Sequence, residues 1–152
     1  MKVFVSSTGR FFFNLSANVG VNSPNKKDDV ELVQFAYFAM SKVPGTSPAL
    51  RPVFAAVKPG AAYTGAANDP LTQAIIAHQR DRGGTQDGHI SVINNPSVQY
   101  SAADGPHVFM LVRLVNNIFD FMPDDYPRLD KHPSCPAELK RAVRAILLPN
   151  PG

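Results

Sequence analysis

The chain has 152 residues, of which 44% are hydrophobic and 18% charged, with 14 prolines and 10 glycines. This length and composition favour one folded, loop-rich domain, or a smaller domain with an appended piece, and argue against a disordered chain or two full domains. The net charge of +3 is well below the positive charge typical of a nucleic-acid-binding protein. The single cysteine, Cys135, allows neither an internal disulfide nor a thiol-based metal site within one chain.

The N-terminal 22 residues contain two short β-prone pieces. Residues 3–5 and 11–15 are separated by Ser-Thr-Gly-Arg at 7–10, which predicts a hairpin or a pair of edge strands. The apolar run after Lys2 breaks too early for a signal peptide, and every apolar stretch is far below the roughly 20 residues that span a bilayer. We therefore expect no transmembrane segment, and a cytoplasmic protein unless another export route is used.

A first helix is predicted after Asn25. The Asn25 side chain is expected to cap it, the acidic pair at 28–29 suits the positive N-terminal end, and residues 30–40 form an apolar run. This run is apolar on many sides, which predicts burial by several neighbours. The Pro-Gly pair at 44–45 is expected to end the helix.

Residues 43–67 are rich in proline and glycine, which predicts an irregular connection with a short strand or turn at 52–57. A second helix is predicted to open at Asp69-Pro70 and to end at Gly83-Gly84. Its buried face is set by the i, i+3, i+4, i+7 spacing of Leu71, Ala74, Ile75 and His78. The Asp-Gly pair at 87–88 then predicts a tight turn into an extended piece at 89–93.

Two further helices are predicted after a polar spacer at 97–104. The third begins near Pro106, ends at Met122-Pro123 and has an apolar face of Val108, Leu111, Val112, Val115 and Phe119. The last runs from about 136 to 148, with Leu139, Ala142, Val143 and Ile146 inward and Lys140, Arg141 and Arg144 outward. With Arg128 and Lys131, the outward residues form a basic end, which either contacts an anionic wall polymer or partner protein, or is a solvated helix face.

Five short segments follow one another in the first two thirds of the chain: Val19-Gly20-Val21-Asn22, Asp29-Val30-Glu31-Leu32-Val33-Gln34, Asp69-Pro70-Leu71-Thr72-Gln73-Ala74-Ile75, His78-Gln79 and Asp87-Gly88-His89-Ile90. In this order the chain resembles the peptidoglycan-binding domain-like family over about residues 19–95. The resemblance implies a mainly α fold with an orthogonal three-helix core, and the patterns described above add short N-terminal β pieces and appended C-terminal helices. Together they predict a module at 1–95 and a helical extension at 96–152, packed together as one compact unit.

For function, the resemblance implies binding without catalysis. Members of this family commonly tether a catalytic domain to the cell wall, and here the flanks are too short to hold a separate enzyme domain. We therefore expect a non-catalytic module that binds peptidoglycan or a related cell-wall glycan or peptide. The alternative is a structural or adaptor protein that contacts a protein partner in a phage or secretion-related assembly. The chain departs from the family pattern at His78, where phenylalanine is usual, in its long first loop, and at 63–68, where an Asp-Gly-x-Phe-Gly turn is usual.

The predicted binding residues are polar groups around the second helix: Tyr63, Asn68, His78, Gln79, Arg80, Arg82, Asp87 and His89. Of these, Tyr63, Asn68, Gln79, Arg80 and Arg82 either line a shallow groove for sugar hydroxyls or a peptide carboxylate, or form a plain solvated surface. His78 is either a ligand-orienting or pH-sensitive group, or a core histidine with a hydrogen-bond partner.

Two pairs of residues are candidates for metal binding or catalysis. Asp87 and His89 share one face of an extended piece, which suits either the start of a metal site or an ordinary turn, and no further ligand follows at a recognisable spacing. With His78 they would form the site of a small metal-dependent wall hydrolase, the enzymatic alternative. His132 and Cys135 suggest a thiol–imidazole pair, but no orienting Asn or Asp follows. We expect no catalytic residue, no metal and no cofactor.

Overall fold

Helices make up most of the secondary structure, as the sequence predicts. The computed structural model describes residues 1–5, 11–94 and 110–148, with the backbone alone at residues 4 and 5. Along these ranges the elements are β1 Lys2–Val5, β2 Phe11–Asn14, β3 Val19–Gly20, α1 Lys27–Met40, α2 Arg51–Ala55, α3 Pro70–Asp81, β4 His89–Ile90, α4 Met110–Phe121, a 3-10 helix Leu129–Lys131 and α5 Ala137–Leu147. None of the described helices has the length and apolar character needed to cross a bilayer.

Two small antiparallel sheets frame the helices. β1 pairs with β2, with Lys2 opposite Asn14, which confirms the predicted strands, while the connecting residues 6–10 lie outside the described part. β3 pairs with β4, with Val19 opposite Ile90 and Gly20 opposite His89. The second pairing joins two segments about 70 residues apart and fixes the residues that directly follow the Asp-Gly pair at 87–88 against the N-terminal region.

Helix α1 is the central element of the core. It packs against α2, α4, α5 and β3, and all of its residues except Lys27, Asp28 and Phe38 are buried. The prediction that a helix apolar on so many sides is buried by several neighbours is confirmed. Its buried polar residues are placed by specific hydrogen bonds: for example, Asp29 accepts from the amides of Ser16 and Ala17 at 3.1 and 3.2 Å.

The predicted role of Asn25 as the cap of α1 is wrong. The helix begins at Lys27 after Lys26, which makes no side-chain cap bond. Asn25 instead has a φ of 53° in the left-handed region, which asparagine adopts more readily than most residues. Its Oδ1 accepts from the Gly20 amide at 2.7 Å and its Nδ2 donates to the Gly20 carbonyl at 2.9 Å, so the side chain anchors β3 rather than the helix.

The predicted end of α1 at the Pro-Gly pair is also wrong, because the helix stops four residues earlier, at Met40. The Arg51 side chain holds the chain there: its guanidinium donates to the carbonyls of Ser41, Val43 and Thr46 at 3.0, 3.2 and 3.0 Å. These bonds stabilise a tight, non-helical path after Met40. The proline-glycine pair then falls in an already turning segment.

The strand or turn predicted at 52–57 is a short helix, α2, so this prediction is wrong as well. Pro52 lies in its first turn, where a missing amide hydrogen costs nothing and the ring already has the helical φ. Phe54 is fully buried and its ring lies 5.0 Å from that of Tyr37. Burial of this one large side chain against α1 outweighs the breaker composition of the surrounding loop.

Helix α3 agrees with its prediction at both ends. Asp69 caps it, accepting from the Leu71 amide at 2.9 Å, and Gly83 follows the last turn with a φ of 73°. The predicted face of Leu71, Ala74, Ile75 and His78 is buried.

The C-terminal helices pack on α1. In α4, Leu111, Val112 and Val115 are buried as predicted and Phe119 is half-buried, while the predicted start near Pro106 and the side chain of Val108 lie outside the described residues. In α5, Leu139 and Val143 are buried, and Ala142 and Ile146 are half-buried. The predicted boundary at 95–96 also lies outside the described residues, so the division into a module and an extension stays a prediction.

A long-range cap links α1 to α5. The N-cap residue of α5 makes no side-chain cap bond, and the buried carboxylate of Glu31 accepts from the amides of Glu138 and Leu139 at 3.0 and 3.3 Å instead. A negative charge at a helix N-terminus is stabilising both as an acceptor and through the helix dipole.

Replacing Glu31 by alanine is therefore expected to lower the free energy of unfolding by about 1–2 kcal/mol and to loosen α5 first. Urea unfolding gives the first quantity, and amide hydrogen exchange in Ala137–Leu147 gives the second. Lys27→Ala, at an exposed position of the same helix, is the control. Unchanged exchange in α5 would show that Glu31 does not hold it.

Candidate functional site

The Asp-Gly turn after α3 is built around the side chain of Gln79. Its Oε1 accepts from the Gly88 amide at 3.0 Å, and its Nε2 donates to the Asp87 carboxylate at 2.8 Å and to the His89 carbonyl at 3.0 Å. Gln79 is 7% exposed and sits in the last turn of α3. One buried amide thus fixes the path of three successive residues relative to the helix.

The turn is also pressed against β3. Gly20 has a φ of 128°, and a Cβ placed on it would lie 2.2 Å from the Gly88 carbonyl oxygen. The Val21 amide donates to that same oxygen at 3.0 Å. Glycine is required here because the two backbones approach too closely for any side chain.

An open cleft of about 350 Å³ lies beside this turn, and we call it the turn cleft. Its polar lining comes from Gln79, Arg82, Thr85, Asp87, His89 and Ser91, and its apolar lining includes Ile90, Met110 and Leu111. Four of these residues belong to the predicted set: Gln79, Arg82, Asp87 and His89. The sequence did not identify Thr85, Ser91 or the α4 residues, because their approach depends on tertiary packing.

The other predicted residues lie elsewhere. Tyr63 hydrogen-bonds Thr72 at 2.7 Å through its hydroxyl and lines a separate cavity of about 290 Å³ with Asn25 and Glu31. Asn68 is exposed in the loop before α3, and Arg80 is exposed and donates to Gln86 at 3.2 Å. The structure therefore does not bring Tyr63 and Asn68 together with Gln79 and Arg82 in one groove.

His78 is a core residue. It is 4% exposed, and its Nδ1 lies 3.1 Å from the Tyr37 hydroxyl. Burial lowers the pKa of His78 to about 4, and the positive charges of Arg82 and Arg113 act in the same direction. At neutral pH the imidazole is uncharged, which agrees with a hydrogen-bonded core histidine.

Asp87 and His89 behave as turn residues. Oδ1 of Asp87 accepts from Gln79 and from the His89 amide at 3.2 Å, and it lies 3.5 Å from Nδ1 of His89. Within residues 1–5, 11–94 and 110–148, no group of three or more His, Cys, Asp or Glu side chains is placed to hold a metal ion.

His132 and Cys135 do not form a thiol–imidazole pair, because each side chain has other partners. The His132 ring packs 5.1 Å from the Phe121 ring, and its Nδ1 accepts from the Ser134 amide at 3.0 Å. The Cys135 thiol is buried and donates weakly to the Pro136 carbonyl at 3.8 Å. Burial raises the pKa of Cys135 to about 12, so the thiolate needed for nucleophilic attack does not form at neutral pH.

The basic end contains its own buried counter-ion. Asp130 accepts from Arg128 at 2.7 Å and from Arg144 at 3.1 Å, and only 1% of its side chain is exposed. Hydrogen bonding from Arg128, supported by Arg144, lowers the pKa of Asp130 to about 2. Part of the positive charge of this surface is therefore neutralised. Lys131 and Arg141 are exposed, and Arg141 pairs with Glu138 at 2.6 Å.

This pKa gives a pH-dependent contribution to stability. A carboxyl whose folded-state pKa is depressed stabilises the fold above its unfolded value of 3.8, and the contribution is lost as the pH falls towards about 2. Asp130→Asn is expected to lower the free energy of unfolding at neutral pH by about 1–2 kcal/mol, a range reduced for solvent because Arg144 is largely exposed. Urea unfolding near neutral pH and near pH 2 should show the difference from wild type shrinking in acid. A constant difference, or one equal to that of the exposed control Asp124→Asn, would contradict this.

Comparison of the chain with protein-family models, with curated proteins and with solved structures finds no match.

Proposed function

We propose that the protein is a non-catalytic binding module for peptidoglycan or a related cell-wall component, with the turn cleft as its binding site. The observation that carries the proposal is the convergence of Gln79, Arg82, Asp87 and His89 on one open cleft. The segments that resemble the peptidoglycan-binding domain-like family supply α1, α3 and the Asp-Gly turn, and the turn forms the wall of this cleft.

The chemistry of the cleft suits a glycan that carries a peptide. The hydroxyls of Thr85 and Ser91 and the imidazole of His89 offer donors and acceptors for sugar hydroxyls and amides. The guanidinium of Arg82 provides the geometry that binds a carboxylate through two parallel hydrogen bonds. An apolar face of the sugar or of a peptide side chain finds a matching surface in Met110, which is partly exposed.

The cleft is preorganised. Its turn is fixed by Gln79 and pressed on Gly20, and its helical wall is the end of α3. Because these residues are already ordered, binding of a ligand there does not incur the entropy cost of ordering them. This rigidity favours a recognition role for the turn.

Three side chains of types that often act in catalysis are engaged in packing or hydrogen bonds within the fold. His78 is neutral and bonded to Tyr37, the Cys135 thiol is buried, and the Asp87 carboxylate accepts hydrogen bonds from the turn. Their engagement supports a binding role over hydrolysis.

Retention on purified sacculi tests the proposal. The wild-type protein and the exposed control Arg80→Ala should be retained, whereas a variant carrying both Arg82→Ala and His89→Ala should lose at least about tenfold in affinity. With histidine counted as neutral at pH 7, the control and the double variant each remove one positive charge, so non-specific adsorption of a basic protein affects both equally. Wild-type retention no greater than that of a helical protein of equal size and charge would overturn the proposal, as would equal retention of the double variant.

A further inference from the structure

A second open cleft lies where the end of α1, the end of α2 and the segment that precedes α5 meet. Its volume is about 530 Å³, which is within the about 300–1,000 Å³ of small-molecule sites. The lining comes from three segments, at 38–42, 55–59 and 133–136, and we call it the lysine cleft. It shares no lining residue with the turn cleft, so the two are separate candidate sites.

The charge beside the lysine cleft has one sign. Among the described residues, the charged side chains that line it are Lys42 and Lys58, and both are exposed. Neither ammonium forms an ion pair with a carboxylate of the described residues. Two cations beside one concave surface attract anions and repel cations.

Each of the two ammoniums is placed by a contact with a residue of its own segment. Nζ of Lys42 lies 5.5 Å from the centroid of the Phe38 ring, and Nζ of Lys58 donates to the Ala55 carbonyl at 3.1 Å. An ammonium has three N–H donors, and the bond to Ala55 uses one of those of Lys58. Both lysines can therefore donate to a bound anion and keep these contacts. Ser134, which is half-buried in the lining, adds a hydroxyl.

The apolar part of the lining has surface that a ligand can reach. Pro133 is exposed, and Phe38, Ala55 and Pro59 are half-buried. A compact apolar group bound against the two proline rings would cover part of this surface and part of its own. Removal of both surfaces from water stabilises such a contact.

This combination selects between classes of ligand. A cation would be repelled by both lysines, and an inorganic anion would leave the proline surface in water. A molecule that joins an apolar group to an anion contacts both parts of the lining. A phosphate monoester carries a charge of about −1.5 to −2 at pH 7 and has three acceptor oxygens, which match two ammoniums and a hydroxyl.

We propose that the lysine cleft binds a small phosphate monoester whose ester group is apolar. Its phosphate lies between the ammoniums of Lys42 and Lys58, and its apolar group packs on Pro59 and Pro133. The site is independent of the proposed binding of cell-wall fragments at the turn cleft.

Isothermal titration calorimetry with phenyl phosphate as the probe tests the ligand class. Phenyl phosphate should bind with a Kd of about 1 mM or lower. Phenyl sulfate has the same ring with a single negative charge and should bind at least about threefold more weakly. Inorganic phosphate lacks the ring and should bind at least about tenfold more weakly. Absence of binding at about 10 mM phenyl phosphate, or an affinity that either comparison anion equals, would overturn the proposal.

Substitution of the two lysines locates the site. Lys42→Gln and Lys58→Gln change exposed side chains and should each weaken phenyl phosphate binding about fivefold, with the fold intact. Lys27→Gln removes the same charge from an exposed position at the other end of α1 and should change the affinity by less than about twofold. Unchanged affinity in both cleft variants, or an equal loss in Lys27→Gln, would refute this assignment.

Retention on sacculi separates this site from the turn cleft. Neither Lys42 nor Lys58 lines the turn cleft, so the two cleft variants and Lys27→Gln should be retained equally. A loss of retention in Lys42→Gln and Lys58→Gln that Lys27→Gln does not share would contradict the independence of the two sites.

Discussion

Replacing Gly20 by alanine is expected to lower the free energy of unfolding by about 3–5 kcal/mol, because backbone strain and overpacking add at this position. The φ of 128° is rarely adopted by residues with a side chain, and the new Cβ would lie 2.2 Å from the Gly88 carbonyl oxygen and 2.6 Å from the His89 Cα. Both neighbours are backbone atoms, so no side-chain rotation relieves the clash. The β3–β4 pairing and the adjacent turn should separate. Urea unfolding measures the loss.

Two other glycines calibrate this expectation. Gly88→Ala should cost less, about 1–3 kcal/mol, since its φ is 77° and the nearest contact is a side-chain carbon of Val21 at 2.9 Å. Gly45→Ala meets no atom within 4 Å and should leave stability unchanged or raise it by up to about 1 kcal/mol. If Gly20→Ala proved as mild as Gly45→Ala, the close approach of β3 to the turn would be refuted.

Replacing Gln79 by alanine is expected to lower the free energy of unfolding by about 2–3 kcal/mol, since it removes three hydrogen bonds and leaves the buried Gly88 amide without its acceptor. The turn should also lose its fixed position, so the variant should bind sacculi less well than its remaining folded fraction alone would predict. Urea unfolding measures the loss of stability, and retention on sacculi at a temperature well below the thermal unfolding midpoint measures the loss of binding separately.

The control for this substitution is Gln73→Ala, an exposed glutamine on the same helix, which should change stability by no more than about 0.5 kcal/mol. Gln79→Glu adds a sharper comparison. It keeps an acceptor for Gly88 but loses the donor to Asp87 and places two carboxylates together, so it should be destabilised more at neutral pH than in mild acid. A pH-independent effect would mean that Gln79 and Asp87 are not in contact.

The helices could be predicted where local signals and tertiary packing agree. Asp69-Pro70 and the stripe from Leu71 to His78 specify α3 by themselves, and its cap and buried face were confirmed. Prediction failed where a distant residue decides the local structure. The side chain of Asn25 accepts a hydrogen bond from the Gly20 amide, so Asn25 cannot cap α1. The Arg51 side chain donates to backbone carbonyls that follow α1, which favours the end of that helix at Met40.

In the candidate site, too, features set by local sequence could be predicted and features set by distant contacts could not. The turn at 87–88 follows from its composition, and the placement of Gln79 beside it follows from the helical register of α3. The loop residues Tyr63 and Asn68 are close to α3 in sequence, but the path of the chain places Tyr63 at another cavity. The cavity bounded by the end of α3, by α4 and by the connection from α1 to α2 had no sequence signal, because its lining comes from three separate parts of the chain that meet only after folding.

The most direct test of the binding role is an NMR titration of isotope-labelled protein with a soluble disaccharide-peptide fragment of peptidoglycan. We expect saturable chemical-shift changes concentrated at residues 79–91 and at Met110 and Leu111, where the turn cleft lies. Spectra that do not change at millimolar concentrations of the fragment, or changes confined to the basic surface around Lys131 and Arg141, would contradict binding at the turn cleft.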